Sequence, residues 1–260
     1  MFEIIEKEHF SPKVVKLVVS APMIARSRRP GHFVIVRACP EGERIPLTIA
    51  DADPERGTIM LVVQNVGVST AKICSLEAGD CLQDVVGPLG QATDIQKRGT
   101  VVCCGGGVGV APLLPIIKAM KEKGNRVISV LAARTADLII LKDEVARHSD
   151  EVIIMTDDGS MGSKGLVTDG VESVIKREKV DEVVTIGPAI MMKFVSLLTK
   201  RYEIPTMCSL NTIMVDGTGM CGACRVTVDG RTRFVCVDGP EFDAHKVDFD
   251  EMMMRLRSYN

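Results

Sequence analysis

Three cysteines and one aspartate carry the clearest chemistry in this sequence. Val215-Asp216-Gly217-Thr218-Gly219-Met220-Cys221-Gly222-Ala223-Cys224, with Cys236 further on, reads Asp-x4-Cys-x2-Cys-x11-Cys. The plant-type iron–sulfur spacing is Cys-x4-Cys-x2-Cys…Cys. Three of the four positions match in type, and the first holds Asp216. Thiolates are soft donors suited to iron–sulfur irons, and a carboxylate also binds iron. Gly217, Gly219 and Gly222 let so short a loop wrap a cluster. The pattern therefore predicts a 2Fe–2S centre with Asp216, Cys221, Cys224 and Cys236 as ligands. A zinc site and plain structural cysteines are the competing readings, although structural zinc usually uses two separated Cys/His pairs. Cys208 competes with Asp216, but it stands eight residues earlier and its spacing to Cys221 departs from the motif.

Elements must hold those donors. Arg225-Val226-Thr227-Val228-Asp229-Gly230-Arg231 reads as a strand and a turn, with Asp-Gly as the hairpin signal. That hairpin would bring Cys236 back to the loop. Upstream, the chain changes character near Gly99. Before it, Phe2–Glu8, Lys13–Ser20, His32–Arg37, Ile45–Ala50, Thr58–Asn65 and Cys81–Val86 are rich in Val and Ile, with Pro and Gly between them. Closely spaced strands with turn signals predict an antiparallel barrel. After it, Thr100–Cys104 is a short apolar run, followed by Gly105-Gly106-Gly107-Val108-Gly109. Val110, Leu113, Leu114, Ile117 and Met120 then repeat at helical spacing up to Gly124. Strands are expected at Val127–Ala132, Val152–Met155 and Glu182–Ile186, and helices at Leu138–Arg147, Val171–Glu178 and Ala189–Arg201. Alternating strands and helices predict a parallel sheet with both faces covered, and ligands bind beyond the carboxyl ends of such strands. The glycine turn lies at such an end, where backbone N–H groups and a helix N-terminus favour a pyrophosphate. Met155-Thr156-Asp157-Asp158-Gly159-Ser160 and Ile186-Gly187-Pro188 are two more strand ends of this kind.

Composition narrows the class. The chain has 260 residues, enough for two or three domains, with 46% apolar and 25% charged residues. A net charge of −2 suggests no nucleic-acid or anionic-membrane partner. Nine cysteines, two of them the adjacent Cys103-Cys104, suit a reducing cytoplasm better than a disulfide framework. The acidic, strand-like start at Met1-Phe2-Glu3-Ile4-Ile5-Glu6-Lys7 does not read as a signal peptide. The longest uncharged run, 100–117, holds three consecutive glycines and two prolines, so no membrane span is expected. There is no Trp, and His32, His148 and His245 read as surface or packing residues.

The order of parts resembles the ferredoxin–NADP reductase superfamily: a flavin barrel, a nicotinamide domain, an iron–sulfur tail. The carriers are Pro30-Gly31-His32-Phe33, Arg44-Ile45-Pro46-Leu47-Thr48, Gly67-Val68-Ser69-Thr70, the run from Gly105 to Pro112, Thr156-Asp157-Asp158-Gly159-Ser160, the cluster loop, and Val237-Asp238-Gly239-Pro240-Glu241-Phe242-Asp243. Within that superfamily the chain looks like the electron-transfer subunit of dihydroorotate dehydrogenase B. It is also similar to the small-subunit family of NADH-dependent reduced ferredoxin:NADP oxidoreductases, also called sulfide dehydrogenase beta subunits. The dihydroorotate relatives have Cys where this chain has Asp216, and the small-subunit family has Asp.

The resemblance implies a mixed fold with three parts. These are an FAD-binding antiparallel β-barrel at 1–97, an α/β parallel-sheet NAD(P) domain at 98–205, and a small 2Fe–2S region with a tail at 206–260. The family's flavin motif is Arg-x-Tyr-Ser/Thr. Thr48 takes the hydroxyl position, Leu47 the aromatic one, and Pro46 precedes them. Arg44 lies four residues before Thr48 where the pattern has three, and one residue reverses the facing in a strand. Val62, Val63 and Gln64 match the strand beside the flavin, and Gly67, Ser69 and Thr70 the phosphate turn. Gly105, Gly106, Gly107, Val108, Gly109, Pro112, Arg134, Asp157, Asp158, Gly187 and Pro188 are the implied nicotinamide contacts. Asp157 and Asp158 would repel the 2′-phosphate of NADP(H), so NAD(H) is expected, with Arg134 arguing weakly the other way. The family pairs such a chain with a larger flavin/iron–sulfur subunit that bifurcates electrons between ferredoxin and nicotinamides, this chain being the NAD side. The alternatives are service to dihydroorotate dehydrogenase B or a hydrogenase, or a sulfide/polysulfide reductase. No acid–base catalytic residue is implied.

Overall fold

The computed structural model describes residues 1–257. Its first part is a seven-stranded antiparallel sheet: β1 (Phe2–Ser11), β2 (Val14–Ser20), β3 (Phe33–Arg37), β4 (Ile45–Asp53), β5 (Thr58–Gln64), β6 (Cys81–Leu82) and β7 (Asp84–Leu89). The order is β6-β1-β2-β5-β4-β3-β7. Both edge strands, β6 and β7, belong to one nearly continuous segment, so the sheet curls until its edges almost meet. Leu17, Val34, Val36, Leu61 and Val63 fill the interior. Two short helices break the all-strand expectation. Pro22 opens α1 (Pro22–Ser27) rather than a turn, since proline's fixed φ suits the first helical position. Thr70 caps the start of α2 (Val68–Cys74), its Oγ1 accepting from the Gly67 amide at 3.0 Å.

The second sheet is built from β8 (Thr100–Gly106), β9 (Arg126–Ala133), β10 (Glu151–Thr156), β11 (Ser163–Lys164), β12 (Glu182–Ile186) and β13 (Thr206–Ser209), all parallel. Helices α3 (Val110–Glu122), α4 (Lys142–Arg147), α5 (Val167–Arg177) and α6 (Ala189–Arg201) cover it. The helix expected from Leu138 starts only at Lys142, because Leu141 has a left-handed φ of 55° and turns inward with Ile140. α5 begins four residues earlier than its apolar spacing suggests, with Asp169 accepting from the Leu166 amide at 2.7 Å.

After β13 come the hairpin β14 (Arg225–Val228) and β15 (Arg231–Phe234), the single-turn α7 (Val235–Asp238), the strand β16 (Glu241–Asp243) and α8 (Phe249–Arg257). Asp229 and Gly230 both take positive φ, as the tight hairpin turn expected from Asp-Gly requires. β16 pairs antiparallel with β13, so the tail adds the seventh strand of the second sheet.

Polar ties bind barrel and sheet. Asp51 on β4 accepts from Arg28 at 3.1 Å and from Lys118 of α3 at 2.6 Å. Thr93, in the linker, donates to the half-buried carboxylate of Glu241 at 2.6 Å. No helix among the described residues is long and apolar enough to cross a membrane.

Candidate functional site

Glycines shape the cysteine loop. Gly217, Gly219 and Gly222 have φ of 75°, 88° and 67°, which L side chains rarely adopt. A Cβ on Gly217 would lie 2.7 Å from Ile35 Cγ1 on β3, so the loop presses directly onto the barrel. Asp216 gathers the loop around itself. Its Oδ2 accepts from the amides of Met220 and Cys221 at 3.0 and 3.1 Å, and its Oδ1 accepts from the Thr218 amide at 3.1 Å. Partial burial works against ionisation, but the Thr218 amide and the Cys221 thiol together hold the carboxyl below its ordinary range.

The four donors come together as two pairs. Cys221 Sγ lies 3.4 Å from Asp216 Oδ1, and Cys224 Sγ lies 3.2 Å from Cys236 Sγ. With zinc's bond lengths as a guide, a tetrahedral metal holds a thiolate and a carboxylate oxygen about 3.5 Å apart and two thiolates about 3.8 Å apart. The first pair fits as it stands; the second must open by roughly half an ångström. Among the described residues no three His, Cys, Asp or Glu side chains gather at one point, as a single-metal site would require. Two pairs suit a centre of two irons, each taking two protein ligands. Burial, then the neighbouring Cys224 thiol, push the Cys236 thiol up to about 12. Cys208 belongs to neither pair. It is buried on β13 with its thiol against the Phe242 carbonyl at 3.5 Å, and burial raises its pKa.

The flavin-type residues lie along β3, β4 and β5. Residues directly opposite in an antiparallel pair share a face. Phe33 is opposite Thr48, Ile35 opposite Pro46, and Val34 opposite Leu47. Phe33 and Ile35 pack with Cys224 and Cys236, whereas Val34 and Leu47 belong to the barrel interior. Pro46 and Thr48 therefore share the outer face on which the cysteine loop sits, and Leu47 does not. Beyond Thr48, β4 leaves β3 and pairs with β5 from Ile49 onward. Val63 is fully buried in the barrel, Val62 packs toward α3, and Gln64 is exposed. Arg44 is exposed outside the strands, without an ion pair among the described residues. The Ser69 hydroxyl donates to Glu43, which stands over the turn from Gly67 to Thr70.

At the carboxyl ends of the second sheet the glycines divide the work. Gly105 and Gly106 lie within β8 and Gly107 has a φ of 55° with open space above it, before Val108. A Cβ on Gly109 would lie 2.4 Å from the Ile186 carbonyl, and one on Gly187 would lie 2.7 Å from Met191 Cε. These two glycines let the β8 and β12 ends touch, beside Pro112 in α3 and Pro188 at the start of α6. Arg134, Asp157 and Asp158 are exposed on neighbouring strand ends, the Asp158 amide donating to the Arg134 carbonyl at 3.3 Å. Asp158 accepts from the Ser160 hydroxyl at 2.6 Å, and that bond with the Ser160 amide holds its carboxyl below the ordinary range. Asp157 makes no side-chain hydrogen bond among the described residues.

Sequence reasoning missed the arginines at the cysteine loop. Arg225 donates to the Gly222 carbonyl at 3.3 Å, and Arg255, on α8, donates to the Ala223 carbonyl at 3.2 Å. Arg255 is 32 residues from Ala223, and no spacing rule links them.

Fold and site define a nicotinamide-dependent oxidoreductase chain with an attached iron–sulfur domain. Residues 103–197 match the oxidoreductase NAD-binding domain, and residues 211–248 match the iron–sulfur cluster binding domain of dihydroorotate dehydrogenase B. A Thermotoga maritima protein described as a dihydroorotate dehydrogenase B (NAD(+)) electron transfer subunit homolog is 48% identical over 257 residues, 99% of this chain and 91% of its own. The Streptococcus pneumoniae dihydroorotate dehydrogenase B (NAD(+)) electron transfer subunit is 32% identical over 248 residues, covering 92% and 94%. A solved structure of NADH-dependent reduced ferredoxin-NADP oxidoreductase, studied for flavin-based electron bifurcation, superposes with a TM-score of 0.96 at 46% identity, covering 100% of this chain and 94% of that one. The chain belongs to the family of dihydroorotate dehydrogenase B electron-transfer subunits and their homologues.

The contact at Gly109 gives a test. Gly109→Ala forces the β8 and β12 ends apart, because the added methyl meets the Ile186 and Gly187 backbone, which cannot rotate away. Overpacking of this kind costs about 1–3 kcal/mol. The KM for NADH rises at least about tenfold, while iron content per chain stays at the wild-type value; an unchanged KM would show that the contact does not shape the nicotinamide site.

Proposed function

We propose that this chain moves electrons between NAD(H), an FAD and a 2Fe–2S cluster, as the NAD-side small subunit of a complex with a larger flavin/iron–sulfur subunit. That complex would couple NADPH oxidation to reduction of ferredoxin and NAD, reversibly. The carrying observation is the shared outer face of β3 and β4: Thr48 lies on the face against which the cysteine loop is pressed. A flavin held at Thr48 would thereby be next to a cluster held at Asp216, Cys221, Cys224 and Cys236.

Residues 1–97 would hold the flavin, 98–205 the nicotinamide and 206–260 the cluster. A bound flavin exchanges two electrons with a nicotinamide and one at a time with a cluster, so it belongs between them. The Thr48 hydroxyl would hydrogen-bond the flavin ring. Gly67, Ser69 and Thr70 would receive its phosphates once Glu43 swings off Ser69, with Arg44 reaching in from solvent. The strand of Val62, Val63 and Gln64 would flank the ring, Val63 and Leu47 through backbone alone. Gly107 leaves room for a pyrophosphate at the start of α3, while Gly109, Gly187 and Pro188 set the height of the floor beneath it. Asp158 is held by Ser160, which leaves Asp157 to face the adenosine ribose, beside Arg134. The Asp216 carboxylate, kept ionised by loop amides, would take the first ligand position.

A second reading, service to a dihydroorotate-oxidising subunit, is favoured by the description of the Thermotoga relative. Asp216 in the first ligand position favours the bifurcating reading instead.

Anaerobic purification from the native host separates the two. The account expects a larger flavin/iron–sulfur chain to co-purify, and NADPH to reduce ferredoxin only when NAD is also present. Recovery with a dihydroorotate-oxidising chain would overturn the bifurcating reading. Nicotinamide choice is tested on the isolated chain with a dye as acceptor. NADH should be used at least about tenfold more efficiently than NADPH, about the effect of one unfavourable charge contact; a preference for NADPH would overturn the assignment of Asp157.

A further inference from the structure

We propose that Arg255, on the C-terminal helix, raises the reduction potential of the cluster by placing an uncompensated positive charge on the loop between two of its ligands. The inference rests on the cluster reading given above. Arg255 reaches the Ala223 carbonyl at 3.2 Å, and Ala223 is the residue immediately before Cys224. The reach is fixed by packing. Phe249 and Met252 of α8 are buried in the same apolar cluster as Cys224, Cys236 and Val226, so the helix cannot drift from the loop. Arg225 and Arg255 line one narrow crevice with Ala223 and Met252, and their guanidinium groups cap consecutive loop carbonyls, Gly222 and Ala223.

Neither arginine is within ion-pairing distance of a carboxylate among the described residues, so the charge is not cancelled locally. Arg255 is half-buried, whereas Arg225 is exposed. Water and salt screen the exposed charge more strongly, so Arg255 carries most of the effect. Charge balance sets the direction of the shift. Three thiolates and a carboxylate leave a two-iron cluster negatively charged in both oxidation states. The electron delivered from the NADH side adds one further negative charge. A fixed cation one residue from a ligand stabilises that state over the oxidised one, and charge and hydrogen bonds around the sulfurs are established levers on cluster potential. A hydrogen bond alone would not need a guanidinium; the carbonyl of Ala223 would accept equally from a neutral donor.

The test uses the full-length chain, purified anaerobically, with the cluster's midpoint potential followed by electron paramagnetic resonance. Arg255→Gln keeps a donor and removes the charge; Arg255→Lys keeps the charge. The glutamine variant is expected to retain its iron and line shape but to reduce less readily by about tenfold in the equilibrium constant, which is 59 mV for one electron. The lysine variant should recover more than half of that shift. A glutamine variant with the wild-type potential overturns the proposal, as does a lysine variant shifted as far as glutamine, or loss of the cluster from both variants. Wild-type protein that holds no cluster would sink the cluster reading itself, before any variant is compared.

Discussion

Strand Phe33–Arg37 has no face in water. Val34 and Val36 point into the barrel, and Phe33 and Ile35 point into the apolar cluster around Cys224 and Cys236. A strand buried on both faces reads as a continuous apolar run, and Phe33-Val34-Ile35-Val36 is one. The cysteine loop and the Thr48 face both refer to this strand. Its inner residues hold the barrel closed. Its outer residues set the floor on which Gly217 lands, with no room for a side chain. Its partner β4 carries Thr48 on that outer face. The spacing between the Thr48 face and the cysteine loop is therefore set by packing, which is dense and hard to deform, and not by a flexible linker.

Charge is arranged around the loop with similar economy. Asp216 draws three loop amides to one carboxylate, which both shapes the turn and keeps the oxygen donors ionised. Cys224 and Cys236 are buried with their sulfurs in contact, a poor arrangement for two free thiolates and a good one for two metal ligands. Two guanidinium groups donate to the loop's carbonyls at Gly222 and Ala223. The barrel and the nicotinamide sheet are tied separately, through Asp51 with Lys118, and through Thr93 with Glu241.

Much of this was legible in the sequence because chemistry restricts spacing. Cysteines that share a cluster must fall at fixed intervals, and Asp229-Gly230 announces the hairpin that returns Cys236. Helix Ala189–Arg201 and strand Glu182–Ile186 follow their apolar periods to the residue. The failures have physical causes. β13 and β16 are four and three residues long, too short to show a period, and they become strands only by pairing with each other and with β12. Leu141 breaks a helical pattern through a left-handed turn that no propensity anticipates. Leu47 falls at the aromatic position of the flavin motif that the resemblance implies, yet the two-residue period of β4 sends its side chain inward, toward Val34. Arg255 lies far along the chain from the loop it touches, and only the fold of α8 brings them together.

The central claim is that two donor pairs, Asp216 with Cys221 and Cys224 with Cys236, hold one two-iron cluster beside a flavin. Native mass spectrometry of the anaerobically prepared chain weighs that claim in one measurement. The account predicts a mass excess of one FAD, two irons and two sulfides per chain. A mass excess corresponding to one zinc, to four irons, or to FMN in place of FAD would contradict it.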